Sequence, residues 1–106
     1  MQRSEVRWAE LPSPVGRRPV LLLSRDAAYS IRTSVTVAIV TRTIRNIPVE
    51  VPLGSEDGMP SKCVVNLDSI LTIPKARLGE HITQLSHDKM SDVAKAIVFA
   101  LDLDIL

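Results

Sequence analysis

One tryptophan, one tyrosine and one phenylalanine are the only aromatic residues among 106, so the interior cannot be built around stacked rings. Since 45% of the chain is still hydrophobic, the core must come mainly from valine, isoleucine and leucine, which favours strands over a helical bundle. The single cysteine, Cys63, excludes an intramolecular disulfide and argues against a cysteine-rich metal site. Glycine-rich phosphate loops, paired-histidine metal spacing and a nucleophile elbow are all absent, so neither a metal nor a cofactor is expected. No apolar stretch approaches the roughly 18 residues that cross a bilayer, and the first residues lack the basic-then-apolar order of a signal peptide. A soluble, cytoplasmic protein is the expectation. No repeat or low-complexity tract divides the chain, so residues 1–106 read as one small domain that buries roughly 65% of its unfolded surface.

The net charge of +1 hides an asymmetry. The first fifty residues carry eight arginines, no lysine and four acids, whereas the rest carry four lysines, one arginine and eight acids. Arginine's planar fork suits phosphate and stacks on bases, so the first half points to a nucleic acid or an acidic peptide as partner. Arginines that merely solvate strand faces are the alternative.

Glu5 to Leu11 alternates loosely around Val6, Trp8 and Leu11 and predicts a first strand, closed by the turn Pro12-Ser13-Pro14-Val15-Gly16. Arg18 to Ser24 predicts a buried second strand with an arginine at its mouth. Arg25 to Tyr29 reads as a polar connection with one helical turn, and the β-branched run Thr33 to Thr43 as a third strand. Ile47 to Leu53, with Pro48 and Pro52 each lacking an N–H, fits an exposed edge strand. Cys63 to Leu67 and Ile70 to Pro74 predict strands five and six, with Asn66 and Asp68 beside their junction. Pro74 to Gly79 reads as a short helical turn or loop. From Ser86 the period becomes helical: Ser86 is the expected N-cap, Leu85 and Met90 a hydrophobic staple, and Met90, Val93, Ala94, Ile97 and Leu101 the buried stripe. These elements predict a mainly β fold with a C-terminal helix, a strongly bent antiparallel sheet or half-open barrel.

Candidate chemistry is sparse. His81 and His87 could form an acid/base pair, but nothing in the sequence places them together, and surface histidines are the ordinary reading. Cys63 opens an apolar strand, where a buried thiol is commoner than a nucleophile. Arg18 enters a buried strand and so has a rigid mount for holding an anion, although taken alone a solvated strand end is the ordinary reading. Thr41 taken alone is explained by strand propensity.

Several blocks, in order, resemble the MazF/PemK family of toxin–antitoxin endoribonucleases. They are "EVRWAEL", "GRRPVLLLSRDAAY", "TSVTVAIVTRTIRNIPVEVPL" and "DGMPSKCVVNLDSILTIPKARL", followed by the helix. The resemblance implies a small SH3-like barrel of the CcdB/PemK type, a homodimer, an acidic and partly disordered antitoxin as partner, and metal-independent, sequence-selective cleavage of single-stranded mRNA. It assigns the catalytic pair to Arg18 and Thr41, with RNA contacts expected from Arg17, Arg25, Arg42, Asp68 and Ser69. The loop before the Arg-Pro block is often longer in the family, and this chain's Ser13 to Arg17 resembles a shorter-loop branch. Many relatives place glutamine where this chain has Ser69. Two other functions fit the fold: a non-catalytic RNA- or antitoxin-binding module, and a CcdB-like gyrase inhibitor. The second needs a C-terminal Trp-Gly-Ile, where this sequence has Asp104-Ile105-Leu106.

Overall fold

The run Val20 to Leu23 is apolar throughout because both of its faces are covered. Val20 and Leu22 enter one core with Leu11, Tyr29, Val35, Val37 and Ile73. Leu21 and Leu23 point the other way, into a second core with Val40, Val65, Leu67 and Val93. Alternate residues of a strand face opposite sides, so a strand between two cores has no polar position to spare. Each such leucine contributes roughly 1.5–3 kcal/mol by burial.

The computed structural model describes residues 1–104; Ile105 and Leu106, which entered the comparison with gyrase inhibitors, lie outside the described residues. Six strands form one antiparallel sheet: β1 (Glu5–Glu10), β2 (Arg17–Leu22), β3 (Ser34–Thr41), β4 (Glu50–Leu53), β5 (Cys63–Pro74) and β6 (Leu78–Gln84). Their order is β4-β5-β3-β2-β1-β6, and no pairing joins β4 to β6, so the barrel is open. A one-turn helix, α1 (Ala28–Ile31), precedes β3, and α2 (His87–Ala100) packs its Val93 and Ala96 into the second core. Mainly β with one substantial C-terminal helix is thus the observed class.

Four details differ from the sequence reading. The expected strands Cys63–Leu67 and Ile70–Pro74 are one strand, because β3 pairs along both: Ala38 faces Ile70 and the next residue, Ile39, faces Asn66. The three residues between, Leu67 to Ser69, form a bulge, which a sequence cannot easily tell from a strand break. Leu78 to Gln84, read partly as loop, is an edge strand on β1, disguised by its exposed Gly79-Glu80-His81 and by two register irregularities. The edge strand β4 begins at Glu50 rather than Ile47, leaving Pro48 in the connection and Pro52 on the exposed edge. Along α2 the buried stripe runs through Met90, Val93, Ala96, Ile97 and Ala100, while Ala94 and Leu101 are exposed.

The helix start is as expected: Ser86 Oγ accepts the Lys89 N–H at 3.1 Å, and Leu85 and Met90 share one core. A cap of this kind is worth about 1 kcal/mol. Lys89 reaches back to donate to the Pro52 carbonyl at 2.9 Å and sits 3.7 Å from Asp57, fastening α2 to β4 and to the turn at Ser55–Asp57. That turn ends at Gly58, whose φ of +85° suits glycine, and a Cβ there would collide with the Thr83 side chain. The constraint holds in place the next residues, Met59 to Ser61, which wall the cleft described below.

Candidate active site

Arg18 and Thr41 stand on adjacent antiparallel strands at the same end of the sheet. The β2–β3 ladder pairs Val20 with Ile39, Leu21 with Ala38 and Leu22 with Val37. Carried two residues beyond Val20 and Ile39, this register sets Arg18 opposite Thr41. Both residues line each of two adjoining cavities. The larger, about 720 Å³, is bordered by Trp8, Arg17, Pro19, Arg42 and the loop Met59 to Ser61. The smaller, about 260 Å³, is bordered by Val15, Ile39, Arg45, Asn66 and Ser69. Arg18, Thr41 and Thr43 form the wall that they share.

No aspartate or glutamate lines either cavity, whereas four arginines do. Converging guanidinium groups with no acid among them make a site for an anion, and planar forks suit phosphate in particular. Among the described residues the Arg18 side chain has no hydrogen-bond or ion-pair partner, and it is exposed. Thr41 Oγ1 accepts the Thr43 N–H at 3.2 Å, which occupies one lone pair and leaves its hydroxyl proton free to donate. The pair therefore offers an unspent cation and a hydroxyl donor to the same cleft.

Arg17 differs from its neighbour. It belongs to β2, opposite Glu10, and not to the preceding loop as the sequence suggested. Its guanidinium lies 4.1 Å over the Trp8 ring and 3.7 Å from Glu10. Strand alternation is the reason, since Arg17 shares a face with Pro19 and Trp8 while Arg18 shares one with Val20 and Ala9. Arg42 lines the larger cavity and Ser69 the smaller. Asp68 is exposed on the β5 bulge and lines neither cavity, although its N–H donates to Asn66 Oδ1 at 2.9 Å. Arg25 is not brought to the cavities either. It lies past the far end of β2, seven residues from Arg18, roughly 20 Å along an extended chain.

Cys63 lines the larger cavity but is only 5% exposed, and burial first, then the Asp57 charge, pushes its thiol pKa up. A thiol held protonated is a poor nucleophile. His81 lies exposed on β6 and His87 opens α2, and neither lines a cavity. Among the described residues no group of three or more His, Cys, Asp or Glu could hold a metal ion.

Trp8, Thr43, Arg45 and Asn66 line the cavities without having been singled out as site residues. Trp8 read only as one beat of an alternating strand. Arg45 was legible as part of the arginine-rich half and Asn66 as a junction residue, but only the fold brings them beside Thr41.

An open antiparallel barrel with a C-terminal helix, carrying an acid-free arginine cleft at its strand ends, defines a small β protein built to bind polyanions. The sequence profile of PemK-like, MazF-like toxins of type II toxin–antitoxin systems matches residues 2–101, and the chain belongs to this family. Endoribonuclease MazF3 of Mycobacterium tuberculosis is 40% identical over 87 residues, covering 82% of this chain and 84% of that protein. Probable endoribonuclease MazF5 of the same organism is 39% identical over 101 residues, covering 94% and 92%. Among solved structures, the M. tuberculosis toxin MazF-mt6 matches with a TM-score of 0.88 at 37% identity, over 95% of this chain and 99% of that one. An endoribonuclease in complex with its cognate antitoxin, from a mycobacterial species, matches with a TM-score of 0.88 at 28% identity, over 100% and 99%. The chain is accordingly a MazF-type endoribonuclease toxin. No described helix is long and apolar enough to cross a membrane.

Proposed function

We propose that Arg18 and Thr41 are the catalytic pair with which this toxin cuts single-stranded mRNA at selected sequences, without a metal ion, in the cytoplasm. The observation that carries this reading is the shared wall: an unpaired guanidinium and a free hydroxyl donor stand together between two acid-free cavities. A ribose 2′-hydroxyl attacks the adjacent phosphorus, so a 2′-O–P bond forms and the P–O5′ bond breaks. The 2′-oxygen loses its proton and the departing 5′-oxygen gains one, which leaves a cyclic phosphate and a 5′-hydroxyl. Negative charge builds on the five-coordinate phosphorus, where a fixed guanidinium and a hydrogen-bond donor stabilise it. Arginine, with a pKa above about 12, is a poor general base, so its role is electrostatic.

Arg17, Arg42 and Ser69 contact the RNA on either side of this wall. Asp68 acts from the bulge, and Arg25 meets only a strand long enough to run the length of β2. The cognate antitoxin is an acidic, partly disordered segment that competes with RNA for the arginine cleft, and the toxin works as a homodimer.

The test is cleavage of a diverse single-stranded RNA pool by antitoxin-free protein in excess EDTA. Wild type cuts at a restricted set of sites, and Arg18→Ala lowers the single-turnover rate by about 10³ or more with its melting temperature unchanged. A folded wild type that leaves the pool intact overturns the reading.

A further inference from the structure

The smaller cavity has a floor and a strut of its own. Ile39, Asn66 and Glu50 are paired across β3, β5 and β4, so they form one row across the sheet. Glu50 is only 8% exposed, and its Oε1 accepts the N–H groups of Arg45 at 2.9 Å and Asn46 at 3.0 Å. This buried carboxylate folds the connection after β3 back over the row and brings Arg45 to the rim of the cavity.

The orientation of the Asn66 amide is fixed by its neighbour. A backbone N–H only donates, so the group 2.9 Å from the Asp68 N–H is the side-chain oxygen. Asn66 therefore offers its amino group outward, and that group has no partner among the described residues. Its companions at the cavity, the Arg18 and Arg45 guanidiniums, are donors too. One lone pair of its oxygen serves the Asp68 N–H, and the nitrogen groups that Asn66, Arg18 and Arg45 bring to the cavity are all donors, which favours acceptors on a base edge over the exocyclic amino group of adenine.

We propose that Asn66 is a specificity-determining residue: the smaller cavity holds one nucleobase beside the cut phosphate, and Asn66 reads a carbonyl oxygen on its edge. The base is therefore one that carries a carbonyl oxygen, guanine, uracil or cytosine, rather than adenine. This inference rests on the endoribonuclease reading above. Single-stranded RNA suits it, since unstacked bases expose their pairing edges to side chains.

Asn66→Asp is the discriminating variant. It is isosteric and keeps an oxygen for the Asp68 N–H, but it replaces the free donor with an acceptor. Wild type and variant are given the same randomised single-stranded RNA, and the 5′ ends of the products are sequenced. The expected result is a change at one position flanking the cut: the preference for a carbonyl-bearing base over adenine falls roughly tenfold or more, while other positions keep theirs. Asn66→Ala, which adds no charge near the phosphate, should lose the preference at that same position. Active variants with the wild-type preference at every position overturn the assignment of Asn66. A wild type that cuts nothing overturns the reading beneath it instead.

Discussion

The two ends of the β2–β3 pair carry similar side chains with opposite fates. At the end after Leu22, several polar groups are consumed by the fold, while Arg25 and Arg32 point to solvent away from any described cavity. Arg3 donates to the Leu23 carbonyl, its backbone N–H to Asp26 at 2.7 Å, the Thr36 N–H to Ser24 Oγ at 2.8 Å, and Lys75 Nζ to the Tyr29 carbonyl at 2.7 Å. At the Arg18–Thr41 end, cations crowd together with few internal acceptors, and among the described residues only the Arg17 guanidinium there has found an acid. A donor already satisfied lowers the energy of the native state, whereas one left in a cleft holds its capacity for a ligand. Being basic therefore does not make a site; being basic, unspent and gathered in a cleft does.

Thr41 tests the unspent end, and after Arg18 it should show the largest effect. Thr41→Val preserves shape and strand propensity but removes the hydroxyl, so the cleavage rate should fall by about 10²–10³, the usual cost of losing one transition-state donor. Thr41→Ser should keep most of the rate. Single-turnover kinetics beside thermal melts would decide, and a Val variant as fast as wild type would remove Thr41 from the mechanism. The Thr43 N–H freed by this change is exposed and can turn to water, so stability should barely move.

The contrast between the two ends was only half visible in the sequence. Arg18 stood out as a candidate because Pro19 to Leu23 is an unmistakable buried strand, although only the family resemblance joined it to Thr41, and the charge asymmetry was plain from composition. What pairs with what was not. The bulge at Leu67 to Ser69 broke a single strand into two apparent ones, and β6 hid behind Gly79-Glu80-His81, since an edge strand needs no apolar alternation on its solvent side. Trp8, Arg45 and Asn66 became site residues only once register placed them. Arg25 shows the converse: it looks like Arg18 in composition and lies at the wrong end of the strand. Local signals such as the Ser86 cap survived intact because they depend on neighbours within a single turn.

At the spent end, Tyr29 ties stability to pH. Burial raises its phenol pKa from 10.0 to about 12, and the residue is only 8% exposed. The unfolded chain thus loses this proton first as the solution is made alkaline, so the folded state's advantage is complete below about pH 10 and is lost as pH rises toward 12. A shift of this size corresponds to a loss on the order of 3 kcal/mol across that window. Other groups titrate there too, so the informative quantity is the difference between wild type and Tyr29→Phe in urea-unfolding free energy at each pH. That difference should shrink or reverse across the window, and a constant difference would rule out the coupling.

Lys75 draws the contrast at its finest, because it is a cation whose charge is already used. Its ammonium donates at 2.7 Å to the Tyr29 carbonyl in α1, and its own N–H donates at 2.8 Å to the Thr33 carbonyl, closing the turn after β5 onto the start of β3. Lys75→Met keeps the aliphatic stem and the backbone bond but removes the ammonium, and it should cost about 1 kcal/mol, the net worth of one hydrogen bond. RNA cleavage should not change, because the residue lies at the end of the sheet remote from Arg18. Opposite behaviour in the two assays is the point: Arg18→Ala is expected to lower the cleavage rate by about 10³ or more with an unchanged melt, and Lys75→Met to lower the melt with unchanged activity. A Lys75→Met protein that melts normally but cuts RNA more slowly would mean that the two ends communicate through β3, and the separation drawn between them would fail.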